Sequence, residues 1–270
     1  MTKIKIDKNG KVGFVFSTYD GTSFLWPDFF RLLNRFWPGF DTAFDGYISM
    51  AEEKKIIASD KLVIQPIGLS NSNSTYSERL LECINRLNCE YVFIILDDFF
   101  MKSAVDNARF AETLGFIRNN SHIDGITYEN FRSASEKDVQ IPYLRYLKKR
   151  MFLCNLQIGL WRSSSLQKII RLNENPWKFE YYGSVRACLF NYRILTIKKG
   201  EPPIFDYDCG WLLVRGKFDE KIYHEYVEKL GIDPHLGDVI GYHEREPAKK
   251  VGLMTKIRHA ILSVLSVFRR

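Results

Sequence analysis

Residues Tyr91–Phe100 read YVFIILDDFF, an apolar run closed by two adjacent aspartates. A continuous apolar stretch of this length, rich in β-branched and aromatic residues, reads as a strand buried on both faces. Asp97 and Asp98 then stand at its carboxyl end, where open α/β sheets bind their ligands. Neighbouring carboxylates repel each other unless a cation or a donor neutralises them. Mg²⁺ or Mn²⁺ suits such a pair, because hard cations take oxygen ligands and complete their shell with water and phosphate. Taken alone, the pair is equally consistent with Asp97 capping the next helix and Asp98 facing water.

Working outward, Val12–Ser17 (VGFVFS) reads as a second buried strand, ending in the polar turn Thr18-Tyr19-Asp20-Gly21. Phe24–Phe36 has helical spacing and is stopped by Pro38-Gly39. Tyr47–Met50, Lys61–Ile67, Gly125–Tyr128 and Tyr192–Lys198 read as strands, and Phe152–Trp161 as extended chain. Helices are expected up to Leu87 with Thr75 or Ser77 as cap, over Ser103–Arg118, over Ser163–Leu172, and from Pro176 to about Phe190. Strands alternating with helices predict an α/β/α sandwich, Rossmann-like, with a mixed, mostly parallel sheet.

The chain of 270 residues is long enough for one single-core domain. Five scattered cysteines form no CxxC pair and no zinc-spaced cluster, so a reducing compartment is expected. No run approaches the roughly 20 apolar residues of a membrane span, and the charged start, Met1 to Lys11, lacks a signal peptide's apolar core. A cytosolic protein is the expectation. Six of the seven net positive charges fall in Lys249–Arg270, leaving the rest near neutral. Nucleic-acid binding usually places that charge on the folded body, so no nucleic-acid partner is expected. Leu253, Met254, Ile257, Ile261, Val264, Leu265 and Phe268 recur at helical spacing in this tail. A basic amphipathic helix over 249–270 suits the anionic inner face of a membrane, or docks on the protein itself or a partner subunit.

YVFIILDDFF, the opening strand VGFVFSTYDG, and NLQIGLWRSSSL followed by NENPWKFEYYGS together resemble GT-A glycosyltransferases of bacterial polysaccharide and lipopolysaccharide synthesis. The likeness is a pattern of motifs over about residues 11–215. It implies a GT-A domain over 1–248, with a nucleotide-binding half at about 11–125 and an acceptor half at 126–248. By this resemblance Asp98 matches the direct metal ligand and Asp97 the position near ribose or metal. Leu96 stands where many of these enzymes carry a further acid. Thr18, Tyr19 and Asp20 match the loop that cradles the nucleotide base. A nucleotide-sugar donor, UDP-linked for preference, and a saccharide or lipid-linked saccharide acceptor are implied.

Sugar transfer needs the leaving diphosphate neutralised and the acceptor hydroxyl deprotonated. Its oxocarbenium-like transition state gives an inverting enzyme one base opposite the leaving group. Glu180, in PWKFE, is the first candidate for that base and Glu174 the next. Alternatively Glu180 serves its helix or pairs with Arg186. Trp161 and Trp177 are candidates to stack on acceptor sugar rings, or to fill the core. Gly159 is a candidate for close substrate approach, and Arg162 for phosphate. His243 is a candidate metal ligand, and Arg79 and Lys217 are candidates for the diphosphate. Two other readings stay open: a metal-dependent phosphoesterase or nucleotidyltransferase using the same acids, and a non-catalytic sugar-binding module.

Overall fold

The computed structural model describes residues 10–68, 74–129, 139–148, 152–208, 212–214, 217–232 and 239–240. His243 and the tail 249–270 lie outside the described residues. The strands are β1 (Val12–Ser17), β2 (Gly46–Ser49), β3 (Ile56–Ser59), β4 (Leu62–Pro66), β5 (Tyr91–Leu96), β6 (Gly125–Thr127), β7 (Leu144–Tyr146), β8 (Gly159–Arg162) and β9 (Ile194–Ile197). The helices are α1 (Trp26–Phe36), α2 (Tyr76–Leu87), α3 (Asn107–Asn119), α4 (Ser163–Ile169), α5 (Pro176–Leu189) and α6 (Glu220–Leu230).

These strands form one sheet in the order β3-β4-β2-β1-β5-β8-β6-β9-β7. β4, β2, β1, β5, β6 and β9 run one way, and β3, β8 and β7 run against them. The expected α/β/α sandwich with a mixed, mostly parallel sheet is therefore present. A small second sheet joins β10 (Leu213–Val214), β11 (Lys217–Asp219) and β12 (Val239–Ile240), with α6 following β11.

β1 and β5 lie at the centre, paired in parallel from Val12↔Tyr91 to Ser17↔Leu96. Alternate residues face opposite layers, so a continuous apolar run is what a doubly covered strand needs. On the α1/α3 side, Phe14 and Phe93 stack, and Phe93 also meets Trp37, Phe44, Phe110, Tyr128 and Phe205. The abundant phenylalanines are largely spent on this core. On the other side Val15, Val92 and Ile94 pack under α2, α4 and α5. A side chain at Gly13 would come within 2.8 Å of Leu87, so glycine there lets the end of α2 rest on β1.

Several local expectations shift. α3 begins at Asn107 rather than Ser103, because Asp106 caps it through the Arg109 amide at 3.0 Å. Ser103 instead binds Asp206 at 2.9 Å, and the Lys102 amide binds the Asp206 carbonyl. Within Phe152–Trp161 only the end is strand, as β8. The Thr75 amide donates to Glu78 at 2.7 Å in a capping box, while Ser77 serves another purpose. Its amide donates to the Glu174 carbonyl, and its hydroxyl accepts from the Glu174 amide at 3.0 Å.

Glu174 pairs with Arg186 through both carboxylate oxygens, at 2.8 and 2.6 Å, and both residues are buried. Arg186 Nε also donates to the Ile169 carbonyl at 2.7 Å, so the pair fixes α5 against the end of α4 and the start of α2. Glu174 is thus structural, and Arg186 belongs to it rather than to Glu180. Arg186→Leu strands a buried carboxylate and should cost about 3–5 kcal/mol. Urea titration should show that loss and its substantial recovery in the Arg186→Leu/Glu174→Leu double variant; equal loss in both would refute the pairing energetics.

Candidate functional site

The carboxyl ends of β1, β2 and β5 form one edge of the sheet. The Asp97 amide still donates to the Ser17 carbonyl at 3.3 Å, so the β1–β5 ladder carries into the acidic pair. Two further segments reach this edge. Residues 152–158 lead into β8, whose first residue Gly159 pairs with Ile94. Residues 203–208 follow β9 and bridge to the loop after β5 at Met101↔Tyr207.

The two aspartates differ in their surroundings. Asp97 is buried, and its Oδ2 accepts from the Thr18 hydroxyl at 2.5 Å and from the Thr22 hydroxyl. Thr18 Oγ1 in turn accepts from Trp26 Nε1 at 2.8 Å. Thr22 also faces the Tyr19 carbonyl at 2.9 Å, so its single proton serves either that carbonyl or Asp97. A proton on Asp97 would satisfy both contacts. Burial pushes the Asp97 carboxyl up to about 6, against the lowering pull of the two hydroxyls. One oxygen of Asp97, expected at ribose or metal, is therefore committed to holding the loop after β1.

Asp98 has no such help. Its Oδ1 is buried and accepts no hydrogen bond from the described residues. Burial, and then the charge on Asp97, raise its carboxyl to about 7. An orphaned, desolvated carboxylate oxygen at a strand end requires a proton or a cation. Among the described residues no group of three or more His, Cys, Asp or Glu side chains is arranged to hold a metal. Asp98 alone fits Mg²⁺ or Mn²⁺, which keep several waters and take one or two protein carboxylates.

The base-cradling residues of the sequence reading are placed together, with altered tasks. Thr18 is buried and engaged as above, while Tyr19 is exposed at the edge. The Asp20 carboxylate accepts the backbone amides of Glu52, Glu53 and Lys54 at 3.1–3.4 Å, so it clamps the loop after β2. The Asp20 amide donates to Glu52 Oε2 at 2.7 Å, and Arg79 ion-pairs with Glu52 Oε1. Arg79 thereby joins α2 to both loops, while its Nε is buried with no partner among the described residues.

Glu180 lies on α5 at the opposite flank. Its Oε1 accepts the Leu156 amide at 2.8 Å, and Oε2 accepts nothing from the described residues. Burial raises its carboxyl above the ordinary range, and the Leu156 amide opposes this. Ser184 ties the same segment to α5, accepting from the Cys154 amide at 3.0 Å and donating toward the Cys154 carbonyl. The Tyr76 hydroxyl is buried near Ser17 and makes no hydrogen bond of good geometry among the described residues. Glu180 is thereby joined to the segment that enters β8.

Other candidates are elsewhere. Trp161 is buried, its ring lying over Gly159 and Gly125, whose added Cβ atoms would meet it at 3.0 and 2.9 Å. It fills the core, and it also occupies the space above Gly159. Arg162 is at the far edge of the sheet, bound to Glu90 at 2.8 Å and to the carbonyls of Ile123 and Ile117. Trp177, by contrast, is exposed on the first turn of α5. Lys217 falls in β11.

Sequence reasoning missed Asp208. Its Oδ1 pairs with Lys102 at 2.8 Å, its Oδ2 is buried without a partner among the described residues, and the Met101↔Tyr207 bridge sets it beside Phe100. Tyr226 of α6 donates to the Phe100 carbonyl at 2.9 Å, securing the same loop. The only signal was the D-Y-D alternation at 206–208, which puts both acids on one side of an extended segment.

No known family model matches the chain, and no curated protein does. Among solved structures it is similar to S. aureus TarS 1–349 in complex with UDP, at 13% identity and TM-score 0.49, over 72% of this chain and 59% of that one. It thus spans about three-fifths of that structure's length. A cytidylyltransferase from Leptospira borgpetersenii is similar at 12% identity and TM-score 0.49, over 96% and 97%. A CMP:2-keto-3-deoxy-manno-octonic acid synthetase complexed with CTP is similar at 16% identity and TM-score 0.43, over 70% and 89%. At these scores the likenesses carry no argument about chemistry.

Both aspartates have folded pKa values raised above the usual 3.8. Their contribution to stability is present in full below that value and is lost as pH rises through about 6 to 7. Without metal, the melting temperature should fall by several degrees between pH 5 and pH 8, a loss on the order of 2 kcal/mol. Asp98→Asn should flatten that slope in differential scanning calorimetry; an unchanged slope would show that Asp98 is not held neutral.

Proposed function

We propose that the chain is a glycosyltransferase moving a sugar from a nucleotide-diphosphate donor, UDP-linked for preference, to a saccharide or lipid-linked saccharide acceptor in surface polysaccharide synthesis. The observation that carries this reading is the buried Oδ1 of Asp98, unpartnered among the described residues, at the carboxyl end of the central strand. Residues of about 11–125 then serve the nucleotide and those of 126–248 the acceptor.

Asp98 would hold Mn²⁺ or Mg²⁺, which when bound supplies Lewis-acid neutralisation of the departing diphosphate. Asp97 fixes the loop after β1 through Thr18 and Thr22, setting the edge on which the nucleotide rests. Asp20, Glu52 and Arg79 couple that loop to the one after β2. Across the edge, Glu180 keeps one oxygen on the Leu156 amide and the other open, with a raised affinity for protons. A carboxylate held in this way takes the acceptor hydroxyl's proton as that oxygen attacks the anomeric carbon, which favours inversion. Trp177, exposed beside Glu180, offers a plane for an acceptor ring. The basic segment 249–270 would bring the enzyme to an anionic inner-membrane surface. Among the described residues no helix is long and apolar enough to cross a membrane.

Purified protein incubated with a panel of nucleotide-sugars and Mn²⁺ should release nucleoside diphosphate from one of them. Asp98→Asn should lower that rate roughly 100-fold or more. Glu180→Gln should lower kcat about 10²–10⁴-fold while Mn²⁺–UDP stabilisation of the fold persists. Release of nucleoside monophosphate or pyrophosphate would replace this reading with a phosphoesterase or nucleotidyltransferase. Binding without turnover in the wild type would leave a sugar-binding module.

A further inference from the structure

The helix α5 is apolar on both of its sides. Its inner arc, Phe179, Gly183, Ser184, Arg186 and Ala187, is buried against the body. The outer arc carries Trp177, Tyr181, Val185 and Leu189, each four residues after the last, with Tyr182 and Cys188 beside them. A surface helix ordinarily turns charged residues outward, and one that is apolar all round belongs in a core or against lipid. Lys178 is the one charged residue of this outer arc. Trp177 is 76% exposed and Leu189 60%, so both ends of the stripe stand open.

The surrounding charge decides what fits this stripe. Between Ser163 and Arg193 the acids are Glu174 and Glu180 alone. Glu174 is buried on Arg186, and Glu180 turns inward to the Leu156 amide. Lys168, Lys178 and Arg193 are exposed, and Lys168 lies 4.5 Å from the Phe190 ring, just past the end of α5. Positive charge thus flanks the stripe at both ends, and no exposed acid of this segment offsets it. A second copy of the same face would set these cations against one another. The segment 249–270, with six basic residues and no acid, would meet the same repulsion. Area also disfavours a second copy. A helix of 14 residues offers a face about 20 Å long and about 10 Å wide. That is roughly 200 Å², against about 800 Å² per partner in a standard interface. An anionic lipid surface suits both features, since Trp and Tyr favour the headgroup boundary and Lys and Arg are drawn to acidic headgroups.

We infer that the outer face of α5 is a membrane-contact surface, which lies in the headgroup region of an anionic bilayer with Trp177, Tyr181, Val185 and Leu189 toward the acyl chains. The surface stands on its own observations. That it presents Glu180, on the same helix, to the saccharide of a lipid-linked acceptor rests on the transferase reading.

Vesicle binding by the full chain tests this, with mixed phosphatidylglycerol–phosphatidylcholine vesicles and with phosphatidylcholine alone, each also made with lipid brominated in its acyl chains. Binding to the anionic vesicles should be roughly tenfold tighter or more, and bromine should quench tryptophan fluorescence. Trp26, Trp37 and Trp161 are buried and 249–270 contains no tryptophan, so quenching that disappears in Trp177→Phe reports on α5. Leu189→Glu should weaken anionic-vesicle binding roughly tenfold. Should that variant fail to fold, Lys168→Gln/Lys178→Gln, both at exposed positions, should weaken it by about as much. The inference fails if no vesicle is bound, if Trp177 in bound protein stays unquenched, if the folded variants bind as tightly as wild type, or if phosphatidylcholine alone binds equally well. It fails also if sedimentation equilibrium shows a dimer that Leu189→Glu dissociates. Quenching of Trp177 in a protein that releases nucleotide from no sugar donor would sink the transferase reading alone; turnover by a protein whose Trp177 stays unquenched would sink this inference alone.

Discussion

A carboxylate removed from water must be neutralised by a proton, a donor or a cation, and the end of β5 presents two carboxylates under that constraint side by side. Asp97 is answered from within the protein, by hydroxyls on the loop that leaves β1. Asp98 Oδ1 receives no hydrogen bond from the described residues, and the charge on Asp97 makes its position worse. The energetic debt at Asp98 is thus carried by the apolar sheet around it, which buries enough aromatic surface to tolerate it.

The remaining edge is organised to keep this geometry fixed. The loops after β1 and β2 are not independent, because Asp20, Glu52 and Arg79 form a continuous chain of contacts between them. On the other flank, the buried Glu174–Arg186 pair sets where α5 lies, and α5 sets where Glu180 lies. Two acids near each other in sequence, Glu174 and Glu180, accordingly have opposite duties. One is saturated by a guanidinium; the other keeps an oxygen open.

Much of this was legible in the sequence where a single element decides the matter. β1 and β5 were read to the residue, because continuous apolar runs admit few alternatives. β3 was missed: it is four residues long at the sheet edge, with Ile57 exposed, and so lacks a buried-strand pattern. The fates of Trp161 and Arg162 depend on which strands become neighbours. Gly125 lies opposite Trp161 only through the β6–β8 register, and Glu90 meets Arg162 only because β8 runs against β5. No local pattern encodes either partnership. Asp208 was hidden for the same reason, since its neighbourhood arises from a bridge across a long stretch of chain.

The reversed direction of β8 has a topological consequence. In a uniformly parallel sheet, every loop at the ligand edge leaves a strand. Here the segment 152–158 enters one, so the Leu156 amide that holds Glu180 arrives before its strand rather than after it. Lengthening the chain between β8 and α4 would therefore remodel the far rim and spare the acidic edge, whereas a residue added between Cys154 and Gly159 would shift the grip on Glu180. The two rims of the sheet are, in this part of the fold, free to diversify separately.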